Sequence, residues 1–187
     1  MLKIAITGNI ASGKSSVENV LKEKGYKVFD TDKIAHNILD SSEEVRALFK
    51  GFDVLTYNKI DRKKLSKIVF SDKKLLKQLE NIVHPLVKEE ILKIFKQDYE
   101  IVFISVPQLF EAGFDDMFDK IIFVTADENI RLQRLMKRNN LTKEEALQRI
   151  NAQMPEADKI NKCTYVLKNN GTIEDLANEL NKIQFSI

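Results

Sequence analysis

The strongest constraint on the fold is a glycine-rich segment close to the start of the chain. Residues 8–15 read Gly-Asn-Ile-Ala-Ser-Gly-Lys-Ser and match the Walker A pattern, Gly-x-x-x-x-Gly-Lys-Ser/Thr. Its glycines let the backbone turn where a side chain would clash, so that peptide N–H groups form a nest for phosphate oxygens. The mechanism requires a strand before the loop and a helix after it, and both are predicted here. The segment therefore predicts a site for a nucleoside triphosphate.

Individual positions of this loop have expected roles. Lys14 is expected to place its charge near the β- and γ-phosphates, and the Ser15 hydroxyl is expected to ligate Mg²⁺. The phosphates are expected to lie against main-chain amides of Ala11, Ser12, Gly13, Lys14, Ser15 and Ser16.

Short apolar runs alternate with helical patterns along the chain. Five runs rich in β-branched and aromatic residues lack polar alternation, which is typical of strands buried on both faces of a parallel sheet. They are Lys3–Thr7, Lys27–Asp30, Ile101–Val106, Lys120–Thr125 and Tyr165–Leu167. Helix starts are signalled at Thr142 and Thr172, and a helix is expected over Ser15–Lys24. The pattern predicts a doubly wound α/β fold, and together with the Walker A segment it predicts a parallel sheet of the P-loop NTPase type flanked by helices.

The interval from about residue 31 to 99 is longer than one crossover helix requires. It reads as a series of helices: Ile34–Leu39, Glu43–Phe49, Arg62–Val69 and Lys73–Phe95. We interpret it as a helical insertion that holds the second substrate. The alternative is plain helical packing around the core.

Composition narrows the class of protein. The chain has 187 residues, which favours a single domain, and 43% of them are hydrophobic. Its 30 basic and 28 acidic residues nearly balance, whereas nucleic-acid binders are usually more basic. One cysteine, no signal-peptide pattern and no apolar run of about 20 residues favour a cytoplasmic protein without a membrane partner. Oligomeric state is left open.

A rival nucleotide signal occurs at Asn58-Lys59-Ile60-Asp61, which matches the guanine-reading Asn-Lys-x-Asp pattern of GTP switches. Only one predicted strand separates it from the Walker A helix, and no Asp-x-x-Gly segment precedes it. A turn before a helix explains the same residues.

Two further features favour a kinase. Asp30-Thr31-Asp32 ends the second predicted strand, where a carboxylate could orient an attacking hydroxyl; the alternative is a turn with a helix cap. Arg131, Arg134 and Arg138 share one predicted helix face, and Arg149 follows. Arginines on mobile helices can close over ATP and neutralise charge during transfer, although a solvated basic face gives the same spacing.

Segments over almost the whole chain resemble the dephospho-CoA kinase family in order and spacing. The similar segments are Ile6–Ser15, Val28–Asp32, Ile60–Leu65, Leu79–Pro85, Val106–Glu111, Arg134–Arg138, Arg149–Gln153 and Val166–Gly171. The resemblance implies transfer of the ATP γ-phosphate to the ribose 3′-hydroxyl of dephospho-CoA, the last step of coenzyme A synthesis. The rivals are another small-metabolite or nucleoside monophosphate P-loop kinase and, outside the kinases, a GTP-binding switch.

The resemblance also implies an architecture and residue roles. The core would comprise about 1–32, 99–136 and 153–187, an acceptor-binding helical region about 33–98, and a small helical lid about 137–152. Lys14, Asp32 and Arg138 would be catalytic, with Asp32 as base or hydroxyl orienter. Arg138, Arg149 and Asn169 would contact ATP, and Asp32, Arg62, His84 and Glu111 would line the acceptor site. His84 could instead be structural, since Pro85 follows it.

A few positions depart from the family pattern. Asn9 and Ala11 replace glycines, which limits the backbone if a positive φ is needed there. Ser105 stands where the family often has a carboxylate, so the remaining magnesium ligands are left open. Gln108 replaces a leucine, and Cys163-Thr164 replaces Ala-Asp.

Overall fold

The computed structural model describes residues 1–185, which form two compact units. The first comprises residues 1–30 and the described chain from residue 98 onward, and the second comprises residues 31–97. In chain order the strands and α-helices are β1 (Leu2–Thr7), α1 (Lys14–Glu23), β2 (Lys27–Asp30), α2 (Thr31–Ser41), α3 (Glu43–Leu48), β3 (Leu55–Thr56), β4 (Lys59–Ile60), α4 (Arg62–Ser71), α5 (Lys73–Phe95), β5 (Ile101–Ser105), β6 (Lys120–Thr125), α6 (Glu128–Asn139), α7 (Lys143–Asn151), α8 (Glu156–Ile160), β7 (Tyr165–Lys168) and α9 (Ile173–Asn181). A short 3₁₀ turn covers Asp115–Met117.

The first unit is built on a five-stranded sheet in the order β2-β5-β1-β6-β7, with every neighbouring pair parallel. This confirms the predicted α/β fold with a parallel sheet flanked by helices. In register, Asp30 at the end of β2 lies opposite Ser105 of β5, and Ser105 lies opposite Ile6 of β1. The carboxyl ends of these strands therefore meet at the edge where the glycine-rich loop begins.

The core of this unit forms because its central strands are apolar on both faces. Ile4, Ile6, Phe103 and Ile122 are fully buried. Residues of α1 and α9 join these strands in one cluster. Burying each large aliphatic side chain contributes roughly 1.5–3 kcal/mol, so the cluster holds the sheet and the start of α1 in place.

Local signals set the helix ends. Thr142 and Thr172 each cap a helix through a reciprocal capping box, with Glu145 and Asp175 as the partners three residues on. Gly25 follows α1 at φ 86°, the left-handed conformation that ends many helices. The helix starts at Thr142 and Thr172 are thus confirmed.

The second unit is mainly helical, and α2, α3 and α4 each pack against α5. Helix α5 buries one stripe of residues spaced by three or four: Leu75, Leu79, Val83, Val87, Ile91 and Ile94. Such a stripe explains why one long helix can serve as the packing surface for three shorter ones.

A β-hairpin in the second unit was not predicted. Strands β3 and β4 pair through a turn in which Tyr57 (φ 49°) and Asn58 (φ 60°) are both left-handed. Asp61 then caps α4 by accepting hydrogen bonds from the amides of Lys63 and Lys64. These main-chain hydrogen bonds hold the pKa of Asp61 below its ordinary value. The Asn-Lys-x-Asp spacing is thereby explained by a turn and a helix cap.

No helix within residues 1–185 is both long enough and apolar enough to cross a bilayer.

Candidate nucleotide-binding site

The loop between β1 and α1 has a backbone that requires glycine at both ends. Gly8 has φ 152°, and a Cβ there would lie 2.2 Å from the carbonyl oxygen of Val124. Gly13 has φ 95°, and a Cβ there would lie 1.9 Å from Nδ2 of Asn169. The fixed glycines of the motif are therefore demanded by both conformation and space.

The two loop positions that depart from the family behave differently. Ala11 takes φ 61°, the left-handed region that costs a non-glycine residue about 1–2 kcal/mol. Asn9 is buried, and its side-chain oxygen accepts a hydrogen bond from Lys159 Nζ at 3.1 Å. Ala11 therefore holds a strained conformation, whereas Asn9 does not have a positive φ and its side chain gains a hydrogen bond from Lys159.

Lys14 opens helix α1, and its ammonium donates to the Gly8 carbonyl at 2.7 Å. Ser15 follows in the same turn with an exposed side chain. Among the loop amides predicted to hold phosphate, that of Ser12 donates to Asn9 O at 3.2 Å and that of Ser16 to Gly13 O at 3.0 Å. The cation, the hydroxyl and the positive helix end therefore lie together at one turn of the chain.

The Ser12 carbonyl is held from outside the loop by two side chains. Asn169, which is buried at the end of β7, donates its Nδ2–H at 2.9 Å, and Arg134 of α6 approaches with Nη1 at 3.5 Å. Sequence reasoning predicted an ATP contact for Asn169. The structure gives its carboxamide a contact with the loop backbone, and the adenine contact remains a prediction.

A buried cation beside the loop was missed by sequence reasoning. The Lys159 side chain is 1% exposed, and its ammonium lies 2.6 Å from Oε1 of Glu111 and 3.1 Å from Oδ1 of Asn9. Lysine is rarely buried unless it is paired, and the sequence around α8 gives no sign of its partner. Glu111, predicted at the acceptor site, thus also neutralises a charge beside the phosphate loop.

Cys163 lies one helical turn beyond Lys159 and donates its S–H to the Lys159 carbonyl at 3.1 Å. Partial burial raises the pKa of its thiol to about 11, because the thiolate is poorly solvated there, although the Lys159 charge acts in the opposite direction. The thiol is therefore neutral at physiological pH.

The arginines of α6 do not share one environment. Arg131 is 6% exposed and lies 3.4 Å from Glu156, whereas Arg134 is half-buried. Arg138 is exposed and donates from Nε to Asn139 Oδ1, and Arg149 is exposed in the last turn of α7. The alternative interpretation, a basic helix face in contact with solvent, therefore applies only to Arg138 and Arg149.

The other predicted residues belong to the second unit. Asp32 is exposed in the first turn of α2, and Arg62 is the exposed first residue of α4. His84 is half-buried in α5, and desolvation lowers the pKa of its imidazole despite the opposing charge of Glu80. The structure thus brings Lys14, Ser15 and Asn169 together in the first unit. Asp32, Arg62 and His84 lie in the second unit.

Comparisons with known proteins agree with this architecture. Residues 2–175 match the family described as dephospho-CoA kinase. A dephospho-CoA kinase from Fusobacterium nucleatum is 44% identical over 181 residues, with 92% of each chain covered. A crystal structure of a Thermus thermophilus protein superposes with a TM-score of 0.84 at 39% identity, covering 97% of this chain and 95% of that one. The dephospho-CoA kinase from Campylobacter jejuni gives a TM-score of 0.74 at 33% identity, covering 96% and 94%. The glycine-rich loop and the helical second unit both fall within the matched region.

Proposed function

The chain belongs to the dephospho-CoA kinase family, and from this premise we propose that it transfers the γ-phosphate of ATP to the ribose 3′-hydroxyl of dephospho-CoA, giving coenzyme A and ADP. The match over residues 2–175 carries this conclusion, since it includes the loop and every residue of the proposed machinery. The one cysteine of the chain, with no partner for an internal disulfide, suits a cytoplasmic setting.

The phosphate loop supplies charge stabilisation for the transfer. The Lys14 ammonium lies within reach of the loop interior, where the β- and γ-phosphates are expected, and the start of α1 adds a positive dipole end. Such groups are fixed before the reaction, so they favour the more dispersed charge of the transition state without reorganising.

Magnesium fits this site if phosphates and water supply most of its ligands. No group of three His, Cys, Asp or Glu side chains within the described chain is arranged to hold a metal ion, whereas the Ser15 hydroxyl is exposed beside Lys14. Mg²⁺ commonly keeps several waters and binds through substrate phosphates, so one protein hydroxyl is a sufficient anchor. When bound, the ion would neutralise phosphate charge, with Ser15 holding it against the loop.

Asp32 is assigned to the acceptor hydroxyl. Its exposed carboxylate, two residues beyond the end of β2, can accept a proton or orient the nucleophile. Arg62, His84 and Glu111 are proposed to line the acceptor site. The lowered pKa of His84 keeps its imidazole neutral at pH 7, so it would act there as a hydrogen-bonding group rather than a cation.

Residues 137–152 are proposed to act as the lid over ATP. Arg138 lies in the last turn of α6 and Arg149 in the last turn of α7. Their exposed guanidinium groups can reach phosphate oxygens when ATP is bound. Asn169 is proposed to lie near the adenine. Residues 33–98 would hold the acceptor, and 1–32, 99–136 and 153–187 would form the core, of which 186–187 lie outside the described residues.

A coupled assay of ADP release tests the proposal. Purified protein with Mg²⁺ and ATP is offered dephospho-CoA, nucleoside monophosphates, a simple sugar or no acceptor. We expect turnover with dephospho-CoA alone, and a product whose new phosphate is on the 3′-oxygen by ³¹P NMR. Turnover with a nucleoside monophosphate but not with dephospho-CoA would assign the protein to a different kinase reaction.

A further inference from the structure

The peptide groups of Ile10, in the middle of the phosphate loop, are both held by side chains from outside it. The Ile10 N–H donates to Oε1 of Gln153 at 2.7 Å. The Ile10 carbonyl accepts from Nε of Arg131 at 3.1 Å. A polar side chain on each side of one residue fixes the orientation of both of its peptide planes.

One side chain comes from α6 and the other from the residues that directly follow α7. Arg131 lies in α6 and is anchored by Glu156 at 3.4 Å. Gln153 is half-buried just beyond the end of α7, where its main-chain N–H donates to the Ile150 carbonyl at 3.3 Å. The two helices pack through Leu132, Leu135, Ala146 and Ile150, and the Ile10 and Ala11 side chains pack against this cluster. The phosphate loop is thus attached to the same helices that carry Arg138 and Arg149.

The next loop residue shows why this attachment matters. Ala11 has φ 61°, an unfavourable conformation for alanine that persists only where the surroundings impose it. Holding both peptides of Ile10 restricts the chain immediately before Ala11. The phosphate-binding shape of this loop therefore depends on contacts outside it, because alanine does not favour that shape by itself.

We propose that Gln153 is a positioning residue for the phosphate loop: by accepting the Ile10 N–H, it keeps the loop in the shape that binds the nucleotide phosphates. The inference rests on the proposed nucleotide-binding role of the loop. Without the acceptor, the free loop would relax toward shapes in which the Ile10 amide finds another partner. The fraction of protein competent to bind would fall, and the apparent Kd for nucleotide would rise in proportion.

Two substitutions separate positioning from simple packing. Gln153→Met keeps the length of the side chain and covers the Ile10 amide, but its thioether sulfur is only a weak hydrogen-bond acceptor. Gln153→Ala removes more atoms but opens the site to water, since Gln153 lines a cavity of about 660 Å³. We expect Mg²⁺–ADP binding, measured by calorimetry, to weaken about tenfold in Gln153→Met and about threefold or less in Gln153→Ala. A packing role gives the reverse order, because Ala loses more contacts.

The matched control is Gln133→Met, at an exposed position of α6 outside the proposed lid, which should bind ADP within about twofold of the wild type. The KM for dephospho-CoA should change less than twofold in Gln153→Met, and the melting temperature without nucleotide should move by only about 2–3 °C. The proposal is overturned if Gln153→Ala binds ADP as weakly as Gln153→Met, or if both bind like the wild type. ADP binding needs no acceptor, so a wild-type protein that fails to phosphorylate dephospho-CoA would refute the proposed function and leave this test intact.

Discussion

The Lys159 ammonium and the Glu111 carboxylate form a 2.6 Å ion pair in which the lysine side chain is 1% exposed and the glutamate side chain 31%. Within residues 1–185, removing the glutamate leaves a buried cation whose remaining hydrogen-bond partner is Asn9, whereas removing the lysine leaves a carboxylate that water reaches. Glu111→Ala should therefore lower the free energy of unfolding by about 2–3 kcal/mol, and Lys159→Met by about 1 kcal/mol. Urea unfolding measures both, and a larger loss in Lys159→Met would show that the buried charge is not what the glutamate stabilises.

Asp32→Asn should leave a folded protein that binds ADP normally but turns over slowly. Asparagine cannot accept the hydroxyl proton, so kcat should fall by a factor of about 10²–10⁴. The stability change should stay below about 1 kcal/mol, because Asp32 is an exposed residue in the first turn of α2. Asp40→Asn, an exposed change in the same helix, is the control and should retain full turnover. Normal kcat in Asp32→Asn would remove Asp32 from the mechanism.

Gly8→Ala and Gly25→Ala compare two glycines at positive φ. A Cβ at Gly8 would lie 2.2 Å from the Val124 carbonyl, whereas a Cβ at Gly25 would meet nothing within 4 Å. Gly25→Ala should cost about 1 kcal/mol from backbone strain alone and retain ADP binding. Gly8→Ala should destabilise more and bind ADP at least about tenfold more weakly, since a main-chain atom must shift beside the loop. Equal effects in thermal unfolding and calorimetry would argue against the close approach of loop and strand.

Cys163 should be slow to alkylate. With its thiol pKa raised to about 11, only about one molecule in a thousand carries the thiolate at pH 8. The folded protein should therefore react with iodoacetamide about 100-fold more slowly than the urea-unfolded chain, and its rate should rise about tenfold per pH unit above pH 8. The one cysteine in the sequence makes the labelling site unambiguous. A native reaction rate that levels off near pH 9 would contradict the raised pKa.

Tyr57→Asn should stabilise the protein. Tyr57 occupies a left-handed turn position at φ 49° with 98% of its surface exposed, so its replacement removes strain and little burial. Asparagine tolerates this conformation, and the gain should be about 0.5–1 kcal/mol. Phe70→Asn is the matched control, since this aromatic residue is 78% exposed in helix α4, where asparagine gives no such advantage. Differential scanning calorimetry would show the Tm rising only for Tyr57→Asn; a fall would place a needed contact at the tip of the hairpin.

The elements predicted most accurately are those whose own residues determine them. Helix α5 begins and ends where its apolar periodicity does, at Lys73 and Phe95, and the runs at Lys27–Asp30 and Lys120–Thr125 are strands with the predicted bounds. The glycine positions of the phosphate loop follow from the chemistry of the motif. In each case local sequence and tertiary packing favour the same structure.

The features that sequence reasoning missed depend on partners distant in the chain. The β3–β4 hairpin is only two residues per strand, and Tyr57 is not a residue that signals such a turn. Lys159 is buried because its ammonium donates hydrogen bonds to Glu111 and Asn9, which are 48 and 150 residues away in the sequence. By spacing, Arg131 is equivalent to Arg134 and Arg138. Its side chain is nevertheless buried, because it contacts Glu156 and the Ile10 carbonyl. Periodicity identifies a helix face and cannot show what that face meets.

The hydrogen bond from the Lys14 ammonium to the Gly8 carbonyl closes the loop into a ring. A ring of this kind has little conformational freedom left to lose when a triphosphate enters. Capture of the nucleotide should then be limited by diffusion and charge attraction rather than by folding of the loop, so the bimolecular rate constant should fall as ionic strength rises.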